Sequence, residues 1–128
     1  LTTAHANSPR DALSRLEVMV LMAGMDLPVA PIREQFASAV QVIVQQTRFA
    51  CGSRKITRIA EVTGVDHGTI QMQELFRFER TGFDTNGRIQ GYFTGCGQIP
   101  SFYEEVQRAG VSLELSVFAK RDENGVPC

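Results

Sequence analysis

The chain has 128 residues, of which 43% are hydrophobic and 21% are charged, and its formal net charge at pH 7 is −1. This composition is too apolar for a disordered chain and fits one globular domain or a large part of one. The near-neutral charge and the lack of any local run of Lys and Arg argue against a nucleic-acid binder and a polybasic membrane anchor.

Neither a membrane span nor a disulfide scaffold is expected. The longest apolar run, Val18–Ala23, is far shorter than the roughly 20 residues that cross a bilayer. Leu1–Asn7 has neither the basic flank nor the apolar stretch of a signal peptide. The odd number of cysteines and the absence of a CxxC pair predict reduced thiols in a cytosolic protein; the three are Cys51, Cys96 and Cys128. With two histidines in the chain, a Cys/His metal site is not expected.

The first predicted element is a short strand at Leu1–Thr3, followed by His5 and then a helix. Ligands of α/β sheets gather at the carboxyl ends of strands, and helix N-termini favour anions. His5 is therefore a candidate contact for an anion, and the alternative is a surface histidine in a connecting loop. On position alone, Thr2 and Thr3 are ordinary strand residues.

The first helix has clear boundaries. Ser8 suits the cap, Pro9 the first helical position, and Asp11 stands three residues after the cap, as in a capping box. Gly24 is a typical C-terminal stop. From Val18 onward the helix is apolar on all sides, which predicts that its second half is buried.

A second helix and an antiparallel meander follow. Pro31 suits the start of a helix that ends near Val40, and Gly-containing turns then separate three predicted strands. These strands are Gln41–Phe49, Arg54–Val62 and Thr69–Gln73. Glu74–Phe78 stays open between a short helix and a continuation of the strand, because Glu74 interrupts the alternation.

The last third predicts a hairpin, a helix, a strand and a tail. An Asn-Gly turn lies within Phe83–Ile89, and Ser101 caps a helix that runs to Ala109. Leu113–Phe118 fits a final strand, and Asp122–Cys128 a frayed tail. The fold class is α/β, with a first strand for which the chain shows no parallel neighbour.

No catalytic set is complete in these residues. The phosphate loop GxxxxGK[ST] is absent, and no Ser-His-Asp or Cys-His arrangement can be argued. Arg10 and Arg15 fit contact with a phosphate or a neighbouring subunit, and equally fit solvated arginines paired with nearby carboxylates. Arg54, Lys55 and Arg58 fit an exposed sheet face.

A resemblance to a known family adds what spacing does not. The stretch TTAHANSPRDALSRLEVMVLMAGMDLP resembles the histidine box and following helix of the CpaF/TadA-type secretion ATPases. These belong to the superfamily of type II and type IV secretion traffic ATPases. The similarity continues through the GSRKIT motif at Gly52–Thr57 and reaches the last helix, so it covers nearly the whole chain.

The resemblance implies the C-terminal part of a RecA-like P-loop NTPase domain at residues 1–80 and a C-terminal extension of hairpin, helix and tail at 81–128. It implies a hexamer that uses ATP and Mg²⁺ to power Flp-type pilus assembly or protein secretion. The expected partner is an inner-membrane platform protein, and the location is cytoplasmic and peripheral at the inner membrane. No nucleic-acid partner and no transmembrane segment are expected. Walker A, the acidic box and Walker B would lie upstream of Leu1, so the chain alone should bind no nucleotide and be inactive.

The family pattern also assigns residues by match. It implies His5 and Thr3 as catalytic, and Thr2, His5 and Asn7 as nucleotide-binding. Arg10, Arg48 and Arg54 match arginines typical of the family and are candidates for contact with a subunit interface or a phosphate, and no metal ligand is assigned. Two alternatives remain: a non-enzymatic module for oligomerisation or platform docking, and an isolated piece that pairs its sheet edge with another copy.

Overall fold

A computed structural model describes residues 1–24 and 26–127. The described helices are α1 (Pro9–Met22), α2 (Val29–Ala39) and α3 (Tyr103–Arg108), with a 3₁₀ turn at Leu115–Phe118. The described strands are β1 (Val42–Arg48), β2 (Arg54–Asp66), β3 (Thr69–Phe83) and β4 (Ile89–Gly95). The architecture is therefore mixed α/β, as predicted.

The four strands form one antiparallel sheet in the order β1-β2-β3-β4, which confirms the predicted meander. As predicted, the β2–β3 turn contains a glycine, Gly68, and the β3–β4 turn contains the Asn86–Gly87 pair. His67 takes a left-handed φ of 48° between β2 and β3. In the β3–β4 turn, the Asp84 carboxylate accepts from the backbone N–H groups of Asn86 and Arg88, each at 2.8 Å. An Asx-type turn of this kind fixes the register of the hairpin.

A β-bulge resolves the open assignment at Glu74–Phe78, which is strand. Ala60 pairs with Glu74 and Ile59 with Phe76, so Leu75 is an extra residue on β3. The extra residue shifts the alternation by one, which is why Glu74 interrupts the sequence pattern without ending the strand. β3 consequently runs past Gln73 to Phe83, and β2 also runs further than predicted, to Asp66, beyond a second bulge between Val62 and Gly64.

The core lies where α1 and α2 cover one end of the sheet. Leu13, Val62 and Ile70 form its centre, and partly buried residues pack around them: Phe36, Ala37, Val40, Ile43, Val65 and Met72. Arg33 on α2 bonds the Glu17 carboxylate through two nitrogens at 3.1 Å and the Gly68 carbonyl at 2.8 Å. Helices and the β2–β3 turn are thereby tied together.

The C-terminal segment packs through Phe118 rather than by adding a fifth strand to the sheet. The predicted strand at Leu113–Phe118 is wrong, since its last four residues form the 3₁₀ turn. Phe118 is buried, its ring lies 5.4 Å from that of Phe76, and its carbonyl accepts from Gly97 N–H. The Phe118 ring thus packs on the sheet from a 3₁₀ turn, and no extended strand is needed to bury it.

Three further predictions are corrected by the structure. Leu1–Thr3 is exposed and forms no strand within the described residues, because a strand needs a neighbour for its backbone groups. The second half of α1 is not buried: Val18, Met19, Leu21 and Met22 are 42% to 81% exposed, because α1 contacts the sheet through the face that carries Leu13. The tail is hydrogen-bonded rather than frayed up to residue 127, since Asp122 accepts from the N–H groups of Asn124 and Val126; Cys128 lies outside the described residues.

The predicted helix at Ser101–Ala109 begins later, at Tyr103, because Ser101 bonds to the sheet instead of capping the helix. The boundary predicted between residues 80 and 81 lies within β3, and the two-part division itself stays a prediction. Cys51 and Cys96 are free thiols. None of the described helices has both the length and the apolarity needed to cross a bilayer.

Candidate functional site

The chain just before α1 is fixed at three points. The Gln45 side-chain amide on β1 donates to the Ala6 carbonyl at 3.0 Å. Ser8 Oγ accepts from Asp11 N–H at 3.0 Å, and Asn7 N–H donates to the Asp11 carboxylate at 2.9 Å. The predicted cap is confirmed, and residues 6–8 are held against both the helix and the sheet.

A carboxylate already stands at the N-terminus of α1. The Asn7 N–H bond, together with the Arg15 guanidinium at 2.9 Å, lowers the pKa of Asp11 below its ordinary value. This negative charge uses the favourable end of the helix dipole. An anion at this terminus would therefore be repelled by the Asp11 carboxylate. Binding of a phosphate there would require an additional positive charge.

Thr2, Thr3 and His5 all lie exposed in the extended segment ahead of this anchored point. None of these three side chains forms a hydrogen bond or ion pair within residues 1–24 and 26–127. They are thus available to a ligand, but no described element encloses them. The residues present fit a contact to a nucleotide phosphate and do not by themselves make a cradle for a triphosphate.

The three candidate arginines do not converge. Arg10 donates to the Ile70 carbonyl at 3.1 Å, where it holds α1 to the start of β3. Arg48 and Arg54 are direct cross-strand partners at the other end of the sheet, beside the β1–β2 turn. A single site that uses all three with His5 is not assembled in this chain.

A groove of about 310 Å³ begins beside Asn7 and Ser8. Its remaining lining residues are Gln45, Thr47, Phe49, Thr57, Arg58, Phe78 and Arg80. Arg58 lies 3.6 Å from the Glu74 carboxylate, and the Thr47 and Thr57 hydroxyls bond each other at 2.8 Å. Of the sequence-predicted site residues, Asn7 lines this groove, whereas His5 does not.

A buried carboxylate that the sequence did not single out joins the sheet to the C-terminal segment. Glu61 is 2% exposed. It accepts from the Gln73 side-chain amide at 2.5 Å, from Ser101 N–H at 3.1 Å, and from the Ser101 hydroxyl. In the sequence, Glu61 looks like any polar strand residue, because its partners are 12 and 40 positions away.

Cys51 is exposed in the β1–β2 turn, and its Sγ lies 3.1 Å from Ser53 Oγ. The Ser53 hydroxyl and the Ile89 N–H lower the pKa of this thiol to about 7. Lys55, just after the β1–β2 turn, lines one cavity with Ile89 and Gln90 at the start of β4. Among the described residues, no group of three or more His, Cys, Asp or Glu side chains is placed to hold a metal ion.

Comparison with known proteins gives one kind of relative. No family model matches the chain. Two proteins of Mycobacterium tuberculosis, from strains CDC 1551 / Oshkosh and ATCC 25618 / H37Rv, are each 31% identical to it over 78 residues. Each bears the name "Putative conjugal transfer protein". The match covers 61% of this chain and 21% of each relative, so the chain spans about a fifth of the length of these curated proteins.

Proposed function

We propose that the chain is the C-terminal part of a RecA-like ATPase of the CpaF/TadA type, which powers pilus assembly or protein secretion. The observation that carries the proposal is the exposed Thr-Thr-Ala-His run at Thr2–His5, anchored at its base by Gln45 and Asp11. The similarity to proteins named for conjugal transfer supports a place in a transfer or secretion system.

In the complete protein, His5 and Thr3 would contact the terminal phosphate or the attacking water, with Thr2 and Asn7 beside them. Positioning and charge neutralisation of the triphosphate would come from groups outside this chain, with ATP and Mg²⁺ bound there. Anchoring at residues 6–8 would pass a displacement of His5 directly into α1 and β1, because both are bonded to that segment. The assembly would be hexameric, cytoplasmic and peripheral at the inner membrane, beside a platform protein.

The test is ATP turnover by the complete protein with His5→Asn. Loss of a phosphate-contacting general acid–base or sensing group should lower turnover by a factor on the order of 10² or more. The matched control is His67→Asn, since His67 is the other histidine, is 94% exposed, and has a left-handed φ that Asn tolerates. Turnover by the His5 variant equal to that of the control would refute the assigned role.

A second candidate is a non-enzymatic module for oligomerisation or platform docking. The exposed apolar side chains on the second half of α1 favour it, since contiguous exposed apolar surface marks interaction sites. Reading the gene upstream of Leu1 separates the two: a GxxxxGK[ST] before an acidic strand indicates a motor, and a start codon near Leu1 indicates a module.

A further inference from the structure

Cations that are far apart in the sequence meet at one end of the sheet, which we call the basic hairpin end. Its members are Arg48, Arg54, Lys55, Arg80 and Arg88. Arg48 and Arg54 are cross-strand partners in the β1–β2 hairpin. Because the four strands form an antiparallel meander, the β1–β2 and β3–β4 turns lie at the same end of the sheet, and Arg88 immediately precedes β4 at that end. Lys55 lines one cavity with Gln90 and Gly91, and Gly91 pairs with Arg80.

The arginines of this group differ from the other arginines of the chain because their guanidinium groups bond neither a carboxylate nor a carbonyl. Each remaining arginine bonds a carboxylate or a carbonyl; they are Arg10, Arg15, Arg33, Arg58, Arg77, Arg108 and Arg121. Within the part of the chain that the structure describes, the guanidinium groups of the four arginines of the basic hairpin end form no hydrogen bond or ion pair. The Lys55 ammonium lies 5.3 Å from the centre of the Phe78 ring.

The arrangement is costly unless an external anion meets it. Like charges directly opposite each other in an antiparallel pair destabilise the sheet, and Arg48 faces Arg54 in this way. The carboxylates at this end do little to offset the charge. Asp84 is engaged by two backbone N–H groups of its own turn, and Glu123 lines the cavity beside Lys55. The basic hairpin end therefore presents a net positive surface on a chain whose overall charge is −1.

Two exposed phenyl rings lie on the β3–β4 hairpin, which carries Arg80 and Arg88 of this group. Phe83, immediately before the β3–β4 turn, is 62% exposed, and Phe93 is 59% exposed. Phe83 pairs with Ile89, Phe78 with Phe93 and Arg80 with Gly91, so residues at these paired positions alternate onto one face of the β3–β4 hairpin. Arginines beside exposed aromatic rings match the interfacial zone of a lipid bilayer, where phosphates lie above the first acyl carbons. Duplex nucleic acid offers the phosphates without an apolar layer for the rings.

We propose that the basic hairpin end binds the surface of an anionic phospholipid membrane, with arginines on lipid phosphates and Phe83 and Phe93 at the headgroup level. This inference does not rest on the proposed ATPase function, since no nucleotide or second subunit enters it. A catalytically silent chain would bind vesicles equally well, and a turnover defect in the complete protein would leave vesicle binding unchanged.

The test is co-sedimentation of the 128-residue chain with vesicles of phosphatidylcholine alone or of phosphatidylcholine mixed with phosphatidylglycerol. Binding is expected to the anionic vesicles only, and it should weaken as salt is raised. The double variant R48Q/R54Q should bind these vesicles at least tenfold more weakly, because each cation near an anionic surface contributes on the order of a fivefold change in affinity.

The matched control is R108Q/K120Q, which removes the same number of positive charges elsewhere and should bind like the unmodified chain. F83S keeps all charges, and it should reduce binding if the ring enters the headgroup layer. Circular dichroism establishes that every variant is folded. Three results overturn the proposal: equal binding of R48Q/R54Q and the control, binding to a DNA duplex but not to vesicles, or salt-sensitive self-association that R48Q/R54Q abolishes while vesicle binding is absent.

Discussion

Replacing Glu61 tests how the C-terminal segment is held to the sheet. Glu61 is the one strongly buried carboxylate in the described chain, and its donors are the Gln73 amide and the N–H and hydroxyl of Ser101. In Glu61→Ala the backbone pairing of β2 with β3 is kept, but these three donors lose their acceptor. The consequence should be local loosening of the segment that begins at Ser101.

The magnitude follows from the number and environment of those donors. A hydrogen bond to a charged group contributes ~1.5–3 kcal/mol, and an abandoned buried donor costs ~1–3 kcal/mol. Ser101 is exposed enough for water to replace part of what Glu61 supplied. We therefore expect Glu61→Ala to lower the free energy of unfolding by about 3 kcal/mol, well above the ~0.5 kcal/mol of an ordinary surface substitution. Glu61→Gln, which keeps the shape and one acceptor oxygen, should cost less.

The assay is urea unfolding followed by far-ultraviolet circular dichroism, because the chain has no tryptophan. Glu105→Ala is the control, since Glu105 is an exposed carboxylate at the start of α3. Hydrogen exchange should show faster exchange of Ser101 N–H and of α3 in Glu61→Ala, with β2 and β3 protected as before. A Glu61→Ala midpoint equal to that of Glu105→Ala would refute the reasoning.

Two further predictions concern Gly95 at the end of β4 and the two free thiols. A Cβ at Gly95 would overlap the carbonyl group of Phe118, so Gly95→Ala should lower stability by roughly 1–3 kcal/mol in urea unfolding, whereas the exposed Gln90→Ala on the same strand should not. Cys51, with its pKa lowered to about 7, should be half-maximally reactive toward iodoacetamide near pH 7, while burial raises the pKa of Cys96 and shifts its reaction to higher pH. Mass spectrometry locates the label, Ser53→Ala should move the Cys51 profile upward in pH, and identical profiles for the two thiols would contradict the structure.

Local signals in the sequence were sufficient where the chemistry is local. The cap at Ser8 and the Asn-Gly turn both depend on side chains that bond backbone groups within four residues. Those elements formed as predicted. Glu74 shows the limit of this reasoning, because the β-bulge at Leu75 depends on the register with β2 rather than on neighbouring residues. Period-2 alternation cannot distinguish a bulge from the end of a strand.

The candidate site was less predictable than the fold. Sequence spacing identified His5 as a helix-proximal side chain, and the structure adds how residues 6–8 are anchored. Sequence spacing also placed Asp11 at the N-terminus of α1, but it could not show that Arg10 would hold a backbone carbonyl rather than an anion. The Arg10 contact depends on how α1 packs against the start of β3, which is 60 positions away in the sequence. The role of His5 therefore stays a prediction that turnover of the complete protein can test.

The charge distribution shows why composition and local runs are incomplete guides to interaction surfaces. A search for consecutive Lys and Arg finds no basic cluster in this chain, because Arg48 and Arg88 are 40 positions apart. Antiparallel register places Arg48 against Arg54, and the order of the meander brings the β3–β4 turn, with Arg88, to the same end of the sheet. In such a meander the β1–β2 and β3–β4 turns lie at the same end of the sheet. Charged residues near these two turns therefore collect at that end. A polybasic surface in a β-sheet is therefore defined by strand pairing, and the net charge of −1 carries no information about it.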